Sequence, residues 1–339
     1  MNETRSASIL TLARGREAHL RNVVLGLTHQ TVLPKELVIG VMQVEPYLTL
    51  PAAPFPIRQV HVVADELPLA RARNTVAREA IGNVLIFVDV DCIPSPSLVE
   101  DYAAGTRPGT GLTMGEVLYL PAGAAEPGWT YAEFDAVAER HCDRQGPPED
   151  AMRRCEDYRC FWSLSFAMHR DDWAASGGFD ERFVGYGGED TDFGRTLSER
   201  DIAIWWIRGA RVYHQHHPHC MPPIHHVPSI VRNAEIFAEK WGHRTMEHWL
   251  HAFRMMGLIE NSATGLRILR DPSRADFDLC EQTSDMPYAA TGRVMRILED
   301  RRRAEAGLPP DLSPGRRRNE RMTRAQDELL SPPVRAAAE

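Results

Sequence analysis

The chain has 339 residues, of which 43% are hydrophobic and 25% charged, a composition that builds one large core plus a smaller appendage. Its longest apolar runs, such as Val84–Val88, fall far short of the roughly 20 residues a membrane span needs, and "MNETRSAS" offers no apolar leader, so a cytoplasmic protein is expected. A net charge of −8 speaks against a nucleic-acid binder that tracks phosphates, and with Lys35 and Lys240 as the only lysines most candidates for lysine-based covalent chemistry are gone. The six cysteines are scattered without a CxxC pair and are read as reduced thiols.

In chain order, Ser8–Leu12 reads as a strand, followed by a helix with Leu20, Val23, Val24 and Leu27 on one face. Glu36–Met42 and Val60–Val63 are the next strands, Leu69–Gly82 a helix, and Val84–Val88 a fourth strand. Short apolar strands alternating with amphipathic helices predict an α/β fold with a mostly parallel sheet covered on both faces, which binds ligands at the carboxyl ends of its strands. Beyond Ser97, "GLTMGEVLYL" and "CFWSLSFAM" read as strands separated by a surface excursion from Pro121 to Glu149. The pattern turns helical from Ile230 to Ile259, with Ile236, Phe237, Trp241, Trp249 and Phe253 as docking positions. From about Ile297 a partly helical, largely disordered basic tail is expected, with at most peripheral membrane contact. The expected organisation is a main α/β domain over 1–229 (a first half about 1–100, a second about 101–229), a helical appendage over 230–296 and the tail over 297–339.

"FVDVDCIP" sets Asp89 and Asp91 at i and i+2 directly after an apolar strand, so both carboxylates project to one side of the pleat. Such hard oxygen ligands suit Mg2+ or Mn2+, with open positions left for substrate phosphates. Alone, the pair reads sooner as strand-terminating acids that cap the next turn. Upstream, "ARNTVAREAIGNVLIFVDVD" joins Arg73 and Asn74 at a helix start to this pair, and "ILTLARGREAHLRNVVLGLTHQTVLPKELVIGVM" supplies a strand, a helix, a Gln-Thr-x-x-Pro-x-Glu connection and a second strand. Together they resemble the nucleotide-sugar glycosyltransferases of the GT-A (Rossmann-like) fold, family 2.

"SGGFDERFVGYGGEDTDFGRTL" resembles the acceptor-side segment of galactosyltransferase-like GT-A enzymes, β-1,4-galactosyltransferases included. The resemblance covers about Ser6 to Ile259 and implies a metal-dependent inverting transfer from a nucleoside-diphosphate sugar, UDP-sugar favoured, to a hydroxyl of a glycan, glycolipid or small molecule. It implies Asp190 as the base that removes the acceptor proton and Glu189 as the group that orients substrate hydroxyls. Asp89, Asp91 and His214 are implied as holders of Mn2+ or Mg2+, with His216 as fallback to His214. Leu12, Ala13, Arg14, Asp65, Arg73, Asn74, Asp89 and Val90 are implied donor contacts, and Tyr186, Gly187, Gly188 and Trp162 acceptor contacts. Asp192 reads equally well as a helix-start acid that complements the dipole.

Three departures stand out. Val41 and Met42 occupy the place of an acidic pair that contacts uracil in many relatives, Tyr186 replaces a usual Trp, and Ser165 a frequent Asn. The remaining histidines of "RVYHQHHPHCMPPIHH" fit no zinc signature and read as surface or acceptor-loop residues. The alternatives to an active transferase are a catalytically decayed sugar-nucleotide or glycan-binding protein of the same fold, and a metal-dependent hydrolase or nucleotidyltransferase on the same sheet.

Overall fold

A computed structural model describes residues 6–141, 144–282 and 291–309, and these fall into two compact units, the first ending at His217 and the second beginning at Pro218. In the first unit, β1 (Ala7–Ala13), α1 (Glu17–Thr28), β2 (Glu36–Val41), β3 (Ile57–His61), α2 (Leu69–Glu79) and β4 (Val84–Val88) alternate as expected. β5 (Cys92–Pro94), α3 (Leu98–Gly105), β6 (Leu112–Met114), β7 (Val117–Tyr119), α4 (Tyr131–Val137), β8 (Glu139–Arg140) and β9 (Met152–Arg154) follow. β10 (Ser165–His169), α5 (Arg170–Ser176), α6 (Glu189–Glu199), β11 (Ile204–Ile207) and β12 (Val212–His214) complete it.

Eight strands form the main sheet in the order β3-β2-β1-β4-β10-β6-β11-β9. β3, β2, β1 and β4 are mutually parallel, and β10 enters antiparallel between β4 and β6. Successive residues of one strand feed two different cores: Ile9, Ile39 and Ile86 pack with Leu20, Val23 and Leu27 of α1, while Leu10, Val38 and Leu85 pack with Val76 of α2 and Phe193 of α6. Burial on both faces is why these strands are continuously apolar rather than alternating.

The third strand lies three residues earlier than Val60–Val63 suggests, because β3 is a half-exposed edge strand whose pairing with β2, not its hydrophobicity, sets its limits. "GLTMGEVLYL" is two strands in two sheets. β6 joins the main sheet, and β7 joins a second one ordered β5-β12-β7-β8. The break falls at Gly115, where a Cβ would sit 2.0 Å from the Ala210 carbonyl oxygen, so only glycine lets the two backbones pass. "CFWSLSFAM" likewise divides into a single 3-10 turn, Tyr158–Cys160, a loop and β10. The excursion after Pro121 is not featureless: Thr130 and Glu133 form a capping box on α4, and Trp129, Tyr131 and Phe134 pack against one another.

The second unit holds β13 (His219–Cys220), α7 (Val227–Trp241), α8 (Glu247–Met255), β14 (Ile259–Ser262), β15 (Gly265–Ile268), α9 (Arg274–Cys280), β16 (Glu281–Gln282) and α10 (Thr291–Glu305). Ile230, Ala234 and Phe237 of α7 and Leu250 and Phe253 of α8 are buried. No described helix is long and apolar enough to cross a membrane. The basic tail beyond residue 309 lies outside the described residues, as does Cys142; the other five cysteines are free.

Candidate active site

Three loops at the carboxyl ends of the central strands carry the candidate chemistry. The first follows β4, where the Asp89 N–H donates to Leu164 O at 2.9 Å. The second is "GYGGEDTD". Gly185, Gly187 and Gly188 have φ of 83°, 91° and 91°, a left-handed region that side chains with a Cβ avoid, and this turn delivers Glu189, Asp190 and Asp192 into the first turn of α6. The third is Trp162–Leu164, leading into β10.

Arg73, on α2, ties these loops together. It is 4% exposed, donates from Nη2 to Ser163 Oγ at 2.6 Å, and stands 3.8 Å from Asp89 Oδ1, 3.4 Å from Glu189 Oε1 and 3.9 Å from Asp190 Oδ1. Its guanidinium also lies 5.1 Å over the Phe179 ring. Burial disfavours its charge, but Asp190, Asp89 and Glu189 outweigh that and raise its pKa. Burial pushes Glu189 up to about 7, reinforced by Asp190 and partly offset by Arg73. Asp89 is likewise pushed up to about 7 by burial, which Arg73 opposes and Asp91, Asp190 and Glu189 reinforce. Asp190 Oδ2 accepts the Ser163 N–H at 3.1 Å, Oδ1 accepts no hydrogen bond, and the side chain is 27% exposed.

Asn74, expected at the donor, is committed elsewhere. Its Nδ2 donates to Phe179 O and Glu181 Oε1, both at 2.9 Å, and its Oδ1 accepts the Phe179 N–H at 2.9 Å. It therefore clamps the "GGFD" turn that precedes the Glu189–Asp190 turn. Leu12 and Ala13 bury their side chains, Arg14 reaches the Asp65 carbonyl at 3.5 Å, and Asp65 is exposed. Val90 and Tyr186 are half-buried, and Trp162 is partly exposed beside Ser163.

The metal-ligating types gather in the second sheet. β12 pairs antiparallel with β5 in the register His214↔Cys92, which brings His214 to Asp91. Asp91 Oδ1 is 3.6 Å from His214 Nε2 and Oδ2 is 3.4 Å from His217 Nε2, and one ligand atom from each of the three residues lies within 4.8 Å of the others. Asp89 lies outside that group. The Gln215 N–H donates to Asp91 O at 2.6 Å, and the Tyr119 ring stacks on His214 at 4.8 Å, so both ligand-bearing segments are fixed by backbone pairing and packing. Burial opposes ionisation of Asp91, yet His214, a hydrogen bond with His217 and Arg16 hold its carboxyl well below the usual range. One ionised carboxylate and two imidazoles are a donor set that fits a first-row divalent transition ion, Mn2+ among them, better than Mg2+, which takes oxygen ligands. Arg16, at the start of α1 with φ 50°, donates from Nη1 to Asp91 Oδ2 at 2.9 Å and stands 3.4 Å from His217 Nδ1.

Sequence reasoning missed Ser163, Arg16 and His217. For His217 a signal was present, the i, i+3 spacing from His214 across a strand end; serine and arginine carry none.

Residues 149–218 match the family described as the N-terminal domain of galactosyltransferase, which spans "GGFD", "GYGGED" and both histidines. That match bears out the likeness of this segment to galactosyltransferases. A validoxylamine A glucosyltransferase of Streptomyces hygroscopicus subsp. jinggangensis (strain 5008) is 26% identical over 203 residues, covering 51% of this chain and 44% of the relative. That of Streptomyces hygroscopicus subsp. limoneus is 26% identical over 203 residues, covering 51% and 41%. The chain thus spans less than half the length of these curated relatives. Among solved structures, GalNAc-T7 with UDP, GalNAc and Mn2+ aligns with a TM-score of 0.46 at 15% identity, over 64% of this chain and 45% of that one.

Proposed function

We propose that the chain is a divalent-cation-dependent glycosyltransferase of family 2 type, its DxD formed by Asp89 and Asp91, which moves a sugar from a nucleoside-diphosphate sugar, UDP-sugar favoured, to an acceptor hydroxyl with inversion. The observation that carries this is the state of Asp190. Its carboxylate is held by the Ser163 N–H and by Arg73, yet the side chain remains partly exposed, in the same unit as the Asp91–His214–His217 group. Its Oδ2 keeps a second lone pair for the proton of an attacking hydroxyl.

Asp91, His214 and His217 would hold the cation, Mn2+ favoured, which when bound supplies positive charge to the departing diphosphate. Arg16 adds a guanidinium beside that group. Glu189, near neutrality in its buried place, both donates to and accepts from sugar hydroxyls. Arg73 is a positioning residue: it keeps three acidic side chains converged without itself facing solvent. Tyr186 and Trp162 flank the base as surfaces for an acceptor, and Gly187 and Gly188 let backbone approach it.

The test is release of nucleoside diphosphate from a panel of UDP-, GDP- and dTDP-sugars with Mn2+ or Mg2+. Asp190→Asn preserves the shape and is expected to lower kcat by about 10²–10⁴-fold while donor affinity stays unchanged. Undiminished turnover in that variant removes Asp190 from the reaction, and donor binding without turnover in the wild type reduces the chain to a binding protein.

A further inference from the structure

Arg144 is the one described residue whose guanidinium is buried without a counter-charge or a hydrogen bond. It is 7% exposed, and neither Nη1 nor Nη2 has a hydrogen-bond partner. Its carbon Cζ lies 5.2 Å from the ring centroids of both Trp162 and Trp206. The Trp206 Nε1–H, on a side chain 2% exposed, is also without a partner. Burial lowers the pKa of Arg144, and the groups that face it are Tyr119, Tyr102, Cys92 and Cys160. None of these four is a carboxylate, and Tyr102 is pushed up by its own burial. Arg73, equally deep in the same unit, has three carboxylates around it.

Two indole faces attract a cation but satisfy none of its N–H donors, so a buried, unanswered guanidinium is a costly arrangement unless an acceptor arrives from outside. Its location says where that acceptor belongs. Trp162 is the residue before Ser163, whose N–H orients Asp190, and Trp162 is the less buried of the two indoles. His141, three residues before Arg144, packs edge-on against Trp162 at 5.1 Å and tilted against Tyr119 at 5.8 Å, and Tyr119 stacks on His214. The guanidinium therefore shares Trp162 with the segment that orients Asp190, and through His141 and Tyr119 it neighbours His214.

We infer that Arg144, with Trp162 and Trp206, forms a subsite for an oxyanion, a carboxylate or phosphate group carried by the acceptor substrate. Displacement of the Trp162 indole admits the group, which pairs with the Arg144 fork and accepts the Trp206 N–H. This rests on the transferase reading above for its term "acceptor", while the anion site itself does not.

The full chain is titrated with sodium acetate and, separately, with inorganic phosphate in a sulfonate buffer, following intrinsic tryptophan fluorescence. Two of the seven tryptophans lie against the guanidinium, so anion entry changes the emission. A saturable response in the wild type that is lost in Arg144→Gln and weakened in Arg144→Lys supports the subsite. No response in the wild type, or the same response in Arg144→Gln, overturns it; the wild-type arm needs no variant to fold. In transfer assays the ratio of kcat/KM for a uronic acid glycoside over its neutral counterpart is expected to fall roughly ten- to hundredfold in Arg144→Gln. An unchanged ratio overturns the assignment to the acceptor. If the wild type responds to acetate or phosphate but turns over no sugar nucleotide, the anion site stands and the transferase reading falls; transfer without any anion response is the reverse.

Discussion

Replacing Arg73 by methionine keeps much of the volume but removes the cation that Asp89, Glu189 and Asp190 share at 3.8, 3.4 and 3.9 Å. Each attraction is worth about 4 kcal/mol at an effective dielectric constant of about 20. Desolvation of the guanidinium cancels much of that, and breaking such a buried network costs a net ~3–5 kcal/mol. The loss has a direction in pH. Glu189 stands at about 7 against an ordinary 4.5, so the folded chain binds a proton there that the unfolded chain releases. A carboxyl raised in this way lowers stability progressively as pH climbs from the unfolded value through the folded one. Without Arg73 the folded value rises further, and the penalty continues to grow above neutrality. Urea unfolding of EDTA-treated wild type and Arg73→Met, followed by tryptophan fluorescence, is therefore expected to show a deficit of about 3–5 kcal/mol at about pH 8 that shrinks by more than half at about pH 5. A deficit under about 1 kcal/mol, or one that is flat between those pH values, refutes the account of Arg73 as the shared counter-charge.

Two further predictions concern separate parts of the first unit. Glu36, fully buried at the start of β2, accepts from Ser8 Oγ and the Ile81 N–H, both at 2.7 Å, and from Arg58 at 2.9 Å. Burial works against its ionisation, but the Ile81 N–H, Ser8 and Arg58 prevail and lower its pKa, so the contribution is present above 4.5 and is lost as pH falls through the folded value. Glu36→Gln is expected to cost about 2–3 kcal/mol in chemical unfolding at neutral pH, and that gap narrows in acid; a pH-independent gap contradicts it. His217→Ala is expected to weaken Mn2+ binding by more than about tenfold in calorimetry, with His216→Ala nearly silent. Equal effects of the two substitutions would remove His217 from the ligand group.

The doubly covered sheet was legible because β1, β2 and β4 are short, continuously apolar and separated by helices with a clean 3.6 period; Leu20, Val23, Val24 and Leu27 all reach the core as read. What local pattern could not show depends on contacts between distant segments. The run Gly111–Leu120 looks like one strand because nothing within it announces that Gly115 must yield to the Ala210 backbone. Arg73 and Asn74 read as ligand contacts at a helix start, and only the fold reveals that one holds carboxylates together and the other holds a turn. Likewise Asp89 and Asp91 look equivalent on a pleat. β5 begins at Cys92, so the second aspartate follows the second sheet to the histidines while the first stays with Arg73.

The register His214↔Cys92 joins residues more than a hundred positions apart, so the cluster of Asp91 and the two histidines does not exist until a loop spanning most of the first unit has closed. Closure of such a long-range pairing is entropically slow and late in folding. A cation that needs it has nothing to grip in the transition state for folding if that pairing forms last. Its binding energy would then appear in the escape rate from the native state: Mn2+ would slow unfolding and leave the refolding rate almost unchanged, so that the ion serves as a lock turned after assembly and not as a template for it.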